Sequence, residues 1–294
     1  MSTVLTVARR DRSFPPLLRE LHDPPQTLYV RGEVAALAAP GVAVVGARSC
    51  SAYGAQVARS VARDLAAAGV AVVSGLARGV DGEAHRGALE SGGQTIAVLG
   101  CGIDRDYPRS HAELARRIAV SGAVVSEYPV GVEPAPWRFP ARNRIIAGLS
   151  LATVVVEARE RSGALITADF ALELGRDVFA VPGEITSGLS AGTNDLLRQG
   201  AAPLTAVRDV FEALGIETTS SAAASAVSDA AAALLVLLRD GAAGADELVR
   251  ASGLSSAEAA AALVELELAG LAAQAAGVYR SFSPGRSGVA RTRG

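Results

Sequence analysis

The sequence predicts an α/β protein with a doubly wound, mostly parallel sheet, followed by a small α+β module. Three observations predict it. From Val42 onward, short apolar runs alternate with amphipathic stretches, the pattern of strands covered on both faces and joined by helices. Each apolar run passes directly into a glycine-bearing or charged loop. Beyond a Thr/Ser/Ala stretch near residue 220, the pattern changes to three short helices and a hairpin.

Residues 1–40 are a Pro-rich lead-in with Pro15, Pro16, Pro24 and Pro25 and a strand at Thr27–Arg31. It is too short for a domain of its own and is expected to pack on the core. Residues 41–215 carry six buried strands, Val42–Val45, Ala71–Ser74, Thr95–Leu99, Ala123–Ser126, Thr153–Val156 and Val178–Val181. Helices are expected at Tyr53–Ala68, Asp81–Ser91, Ser110–Val120, Arg142–Leu149, Ala164–Leu174, Gly192–Arg198 and Val207–Leu214. This is a Rossmann-like doubly wound arrangement. Residues 216–228 read as a linker. Residues 229–283 read as a winged-helix-like α+β C-terminal domain, with helices Ala230–Arg239, Ala245–Ala251 and Ser255–Ala269 and strands Leu271–Gln274 and Val278–Phe282. Ser255 or Ser256 is the expected cap of the third helix. The tail 284–294, rich in Gly and Arg, is expected to be disordered.

Composition removes several function classes. All 28 basic residues are Arg, so neither a Walker A loop nor a lysine Schiff base is available. The formal net charge of −2 means that any nucleic-acid contact is a local patch. Cys50 and Cys101 make no CxxC, and His22, His85 and His111 are scattered, so no metal site or other cofactor is expected. Two cysteines fit a reducing cytoplasm. Arg9, Arg10, Asp11 and Arg12 follow a short apolar start, unlike a signal peptide, and no apolar run is long enough for a membrane span.

In open α/β sheets, ligands lie beyond the carboxyl ends of the strands. The loops there contain Gly46-Ala47-Arg48, Gly75-Leu76-Ala77-Arg78-Gly79, Gly100-Cys101-Gly102, Glu127-Tyr128, Glu157-Ala158-Arg159 and Pro182-Gly183. Glycines let backbone N–H groups approach an anion, and Arg48, Arg78, Arg142 and Arg144 are expected on the same rim. Pro140 is expected to hold the helix start behind it, placing Arg142, Asn143 and Arg144 in a first turn. Basic residues are unfavourable at that positive end. Either an anionic ligand compensates there, with Phe139 offering a ring to a base, or the arginines are merely solvated. A nicotinamide site is disfavoured because no G-x-G-x-x-G follows the first strand and Ser74 ends the second. A serine hydrolase is disfavoured because Ser74 lacks a G-x-S-x-G elbow. His85 is expected to pack or hydrogen-bond within its helix. Asp81 and Glu83 read as first-turn acids, and Asp104 and Asp106 as a turn.

These loops resemble the DprA (Smf) family of DNA-processing proteins. VAVVGARSCSAYG, SGLARGVDGEAH, TIAVLGCGIDRDYP, SEYPVG, FPARNRIIAGLS, VVVEARERSGALITADFALELGRDVFAVPG and GTNDLLRQGA occur in the family's order. FPPLLRELHDPPQTLYVRG is similar to the segment that precedes them. The resemblance implies a cytosolic protein that binds single-stranded DNA without strong sequence preference. It implies protection of incoming strands in natural transformation and recombination, RecA loading, a homodimer and no catalytic activity. It implies a DNA and phosphate site at Gly46, Arg48, Ser51, Ser74, Gly75, Arg78, Phe139, Arg142, Asn143 and Arg144. Three departures stand out. Ala47 replaces a frequent Ser or Thr, residues 1–13 are too few for the helical domain many members carry, and the winged-helix module is optional in the family.

The third helix of that module carries Glu258, Glu265 and Glu267 and no Arg, and residues 229–282 hold seven acids against three Arg. A DNA-reading helix is basic, so this module is expected to contact protein or its own Rossmann-like domain. The main alternative function is a nucleotide-binding enzyme or sensor of the phosphoribohydrolase type, with Glu157 or Asp81 as acid or base; the P-G-G-x-G-T loop of such enzymes is absent. A winged-helix transcription factor is a further alternative that the acidic helix opposes.

Overall fold

The structure is a computed structural model that describes residues 3–216, 227–241, 243–269, 271–275 and 277–281. The expected tail 284–294 and most of the expected linker lie outside the described residues. The chain divides into two compact units, Met1–Glu217 and Thr218–Gly294.

In the first unit the strands are β1 Val4–Ala8, β2 Thr27–Gly32, β3 Gly41–Val45, β4 Ala71–Ser74, β5 Thr95–Leu99, β6 Ala123–Ser126, β7 Ala152–Val155, β8 Asp177–Ala180 and β9 Ala202–Pro203. The helices are α1 Ala52–Ala67, α2 Val80–Glu90, α3 Ala112–Ser121, α4 Arg138–Gly148, α5 Gly163–Glu173, α6 Ala191–Arg198 and α7 Val207–Leu214. One nine-stranded sheet runs in the order β1-β2-β6-β5-β4-β3-β7-β8-β9. Strands β3 to β9 pair in parallel, and β2 and β1 extend the β6 edge antiparallel. The order reverses between β3 and β7, which opens a crevice at their carboxyl ends.

Side chains alternate across this sheet. Ala43 and Val45 of β3 join one core with Ile145 and Ile146 of α4 and Ala168 and Ala171 of α5. Val42 and Val44 join the other with Leu65 of α1, Ala84 of α2 and Phe211 of α7. Both faces are covered, so the strands read as unbroken apolar runs rather than alternating ones.

Strands β1 and β9 and the start of α4 depart from the sequence reading. Strand β1 was not anticipated: VLTVA is a short edge strand with exposed Leu5 and Thr6, and its pattern is weak. The lead-in therefore contributes two strands, and Phe14, Leu18 and Leu28 are fully buried in the first core. Arg176 clamps this lead-in, donating to the carbonyls of Ala147, Ser150 and Leu17 and to Glu20. Helix α4 starts at Arg138, ahead of Pro140. Pro140 is its third residue, where a backbone N–H has no intrahelical acceptor, so the missing donor costs nothing. Arg142 and Arg144 thus lie a turn inside the helix and not at its positive end.

The second unit packs α8 Asp229–Asp240, α9 Ala245–Ser252 and α10 Ser256–Leu268 against a three-stranded sheet of β10 Ala243–Gly244, β12 Val278–Ser281 and β11 Ala272–Ala275, in that order. Leu234, Leu238, Leu248, Leu263 and Leu266 form its core. This helix–helix–hairpin order is a winged helix. The Ser255 side chain caps α10 in a reciprocal box with Glu258. Ser228 donates from both its amide and hydroxyl to Glu265. Glu267 accepts from the Gln274 amide. All three acids of α10 therefore have local structural partners, while Val264 and Leu268 on the same helix stay exposed.

Leu18→Ala is expected to cost about 2–5 kcal/mol of unfolding free energy, the penalty of truncating a fully buried leucine. Urea unfolding measures it, and a negligible change would detach the lead-in from the cooperative unit.

Candidate functional site

Helix α1 begins where a doubly wound fold ordinarily receives a phosphate. Here the position is filled. The Glu157 carboxylate, from the loop after β7, accepts from the Ser51 amide at 2.9 Å and the Ser51 hydroxyl at 2.5 Å. The Ser51 hydroxyl also accepts from the Gly54 amide at 3.0 Å. A Cβ on Gly54 would lie 2.4 Å from the Glu157 carboxyl carbon, so only glycine admits the carboxylate. Both Ser51 donors, the amide and the hydroxyl, are thus engaged by Glu157 within the protein. The same contact engages both carboxylate oxygens of Glu157.

The next loop is fixed from three directions. Arg142 of α4 donates to the Gly75 carbonyl at 2.7 Å and to the Val98 carbonyl. His111 Nδ1 donates to the Leu76 carbonyl at 3.0 Å. Asp81 accepts from the Ala77 amide at 3.3 Å. Leu76 adopts a positive φ of 59°, a conformation costly for a branched side chain, and these bonds hold it there. A Cβ at Gly75 would lie 2.5 Å from an Arg142 guanidinium nitrogen, so this glycine makes room for the buried arginine. The Ser74 hydroxyl is fully buried and donates to the Val44 carbonyl at 2.7 Å, and is thus structural as well.

Of the four arginines expected on one rim, two are free. Arg48 and Arg78 are exposed. Arg142 is 4% exposed. Burial pushes its pKa down to about 10 against the pull of Asp81, leaving it a cation at neutral pH. Burial likewise raises the Asp81 carboxyl, opposed by Arg142 and by the Ala77 and Gly75 amides. Arg144 is turned to Glu127 at 2.6 Å and is therefore paired. Asn143 donates to the Gly163 carbonyl at 2.8 Å, joining α4 to the start of α5.

What remains is a cavity of about 190 Å³ at the β3/β7 crevice, bounded by Gly46, Arg48, Asp81, Phe139, Arg142 and the first turn of α5 at Ser162–Ala164. The α5 N-terminus supplies the partial positive charge that α1 has spent on Glu157. The volume is below the several hundred Å³ of a small-molecule pocket, so it suits one unit of a longer ligand better than a whole dinucleotide. At its mouth the Arg48 guanidinium lies 5.4 Å from the Phe139 ring centroid, and Tyr107 stacks on Phe139 at 5.3 Å. Alongside, Arg138 lies 5.0 Å from the Tyr128 ring and 4.8 Å from the Trp137 ring. Tyr107 is 45% exposed and Trp137 62%. Of these four rings, only Phe139 was assigned a stacking role from sequence. Tyr107, 32 positions upstream, meets Phe139 only in the tertiary structure, whereas Trp137 and Arg138 adjoin it in the chain.

His85 is packed and hydrogen-bonded, as expected. The Thr95 hydroxyl donates to the Val72 carbonyl, so His85 Nδ1–H donates to Thr95 at 2.7 Å. Burial, with the charges of His111 and Arg142 adding to it, lowers its pKa from 6.5 to about 3.

Two family models cover the chain: "DNA recombination-mediator protein A" matches residues 5–215, and "DprA winged helix domain" matches residues 217–278. The DNA processing protein DprA of Streptococcus pneumoniae is 46% identical over 68% of this chain and 71% of its own length. Its crystal structure superposes with a TM-score of 0.68 and 43% identity, over 73% of this chain and 75% of that one. Protein Smf of Escherichia coli is 48% identical over 68% of this chain, which spans only 54% of that protein. The DNA processing protein A of Helicobacter pylori, described structurally for its single-stranded DNA binding mode, matches with a TM-score of 0.66 and 32% identity over 73% of this chain and 98% of that one.

Two stability measurements test these assignments. Arg142→Ala should lose about 2–4 kcal/mol in urea unfolding, because two buried carbonyls and Asp81 lose their partner. Arg48→Ala should stay within about 1 kcal/mol. Equal losses would overturn the division into buried and free arginines. For His85, the unfolded chain takes up a proton below about pH 6.5 that the folded chain refuses until about pH 3. Stability from this group is complete above that window and declines as pH falls through it, at up to about 1.4 kcal/mol per pH unit. Between about pH 7.5 and about pH 5, wild type should lose about 2 kcal/mol more than His85→Gln. Parallel pH curves would contradict the lowered pKa.

Proposed function

The chain belongs to the DNA recombination-mediator protein A family, the DprA/Smf proteins, and on that premise we propose that its first unit binds single-stranded DNA along the rim of Arg48, Arg78 and Phe139. The observation that carries this reading is the Arg48–Phe139–Tyr107 cluster at the mouth of a small, positively biased cavity. Arginines neutralise phosphates, rings accept bases of any identity, and backbone from Gly46 and the α5 N-terminus can approach one phosphate closely. Gly46, Arg48, Arg78 and Phe139 remain contacts in this reading. Gly75, Arg142 and Asn143 shape the cavity, whereas Ser51, Ser74 and Arg144 are committed to protein partners.

The rest follows the family. The chain acts in the cytosol as a mediator that protects incoming strands and loads RecA during transformation and recombination, works as a homodimer, and catalyses no reaction. A dimer would set two rims on one strand and raise avidity. The second unit contacts protein and not DNA, because α10 exposes Val264 and Leu268 and carries no cation. The nucleotide-hydrolase reading is weakened by Glu157, whose oxygens are engaged at α1.

Fluorescence anisotropy across a salt series tests the proposal. Single strands should bind more tightly than duplex, with log affinity falling linearly in log salt. Arg48→Ala and Arg78→Ala should each weaken binding for all sequences and reduce the salt slope by about 0.7. Truncation after Glu217 should leave that affinity unchanged. A double variant that binds single strands like wild type would sink the rim assignment, and tighter duplex binding would favour a transcription factor.

A further inference from the structure

We propose that Trp137, Arg138 and Tyr128 form a second base-binding station beside Phe139, taking a nucleobase of the same single strand; this rests on the reading of the rim as a single-strand site. The chain has only one Trp, five Tyr and six Phe, yet four of these twelve rings, Tyr107, Tyr128, Trp137 and Phe139, stand beyond the carboxyl ends of β5 and β6. Trp137 is 62% exposed and belongs to none of the cores. An indole left in water at a ligand rim is a contact surface in waiting.

Its setting is built. Arg138 is placed between two rings, 4.8 Å from Trp137 and 5.0 Å from Tyr128, and donates to the Glu133 carbonyl. A guanidinium held over the indole restricts its rotamers, so less freedom is lost when a base stacks on the exposed area. The same guanidinium brings positive charge to the strand's backbone. Trp137 and Phe139 are two residues apart at the start of α4, so their Cα atoms lie within about 7 Å while their side chains diverge around the helix, which lets the two rings take different bases of one strand. The pairs Arg48–Phe139 and Arg138–Trp137 thus repeat one arrangement, a ring backed by a cation.

Trp137 is the only tryptophan, so its own fluorescence reports on the station in the full-length chain. Titration with an oligothymidine single strand should quench this emission with the midpoint found by anisotropy. A strand of the same length made of abasic units should bind without quenching. Trp137→Leu should weaken oligothymidine binding roughly 5- to 150-fold, the range of one base stacked on a ring, and Trp137→Phe should recover most of it. The station is wrong, and the rim stands, if Arg48→Ala weakens binding while Trp137→Leu binds like wild type or the abasic strand quenches equally. No binding of single strands by the wild-type chain would remove the rim and the station together.

Discussion

A carboxylate buried at the positive end of α1 governs the geometry of this protein. Glu157 reaches from the loop after β7 to the Ser51 amide and hydroxyl, across the crevice where strand order reverses. Its own backbone carbonyl accepts from the Ala47 amide at 2.7 Å, so one residue joins the β3 loop, the β7 loop and the start of α1. The helix dipole that would attract a ligand phosphate is answered from within. An anion arriving at the crevice meets the next positive features outward, the α5 N-terminus and the exposed guanidinium of Arg48. Arg48 and Arg78 stay exposed at this edge.

The arginines divide by burial. Arg142 and Arg176 are interior groups that satisfy carbonyls which loop geometry would otherwise leave unpaired. An interior guanidinium suits this task, since its fork of donors can serve several acceptors at once. Arg142 also fixes the loop that presents Arg78, against the strained backbone of Leu76. The loop hydrogen bonds that hold this rim are already made, so on the proposed reading a strand would be ordered on it without the protein being ordered too. In the second unit the same principle works with acids: Glu258, Glu265 and Glu267 of α10 are engaged at caps and strand ends, while Ala257, Ala260, Ala261, Val264 and Leu268 are exposed beside Glu258 and Glu267.

Strands β3 to β8 were legible to within a residue or two because covered parallel strands are apolar without interruption. Weak edges were not: β1 and the two-residue β9 have too little pattern to stand out. The start of α4 was misjudged because proline stops a helix in its interior but not in its first turn, and the sequence does not say which of these Pro140 occupies. The candidate site was legible only as a set of loops. Arg48, Arg78 and Phe139 lie where the βα rhythm puts them. Ser51 and Ser74 look like phosphate ligands in one dimension, yet their hydroxyls point to Glu157 and to the Val44 carbonyl.

The sequence by itself determined the fold class, the edge at which the loops gather and the family, because periodicity and ordered motifs are local properties of the chain. Only the tertiary structure decided which of those loop residues are free. Whether an arginine meets solvent or a carbonyl depends on partners 67 and 44 positions away for Arg142 and 17 for Arg144. Burial and pairing are fixed by contacts between distant segments, and no spacing along the chain encodes them.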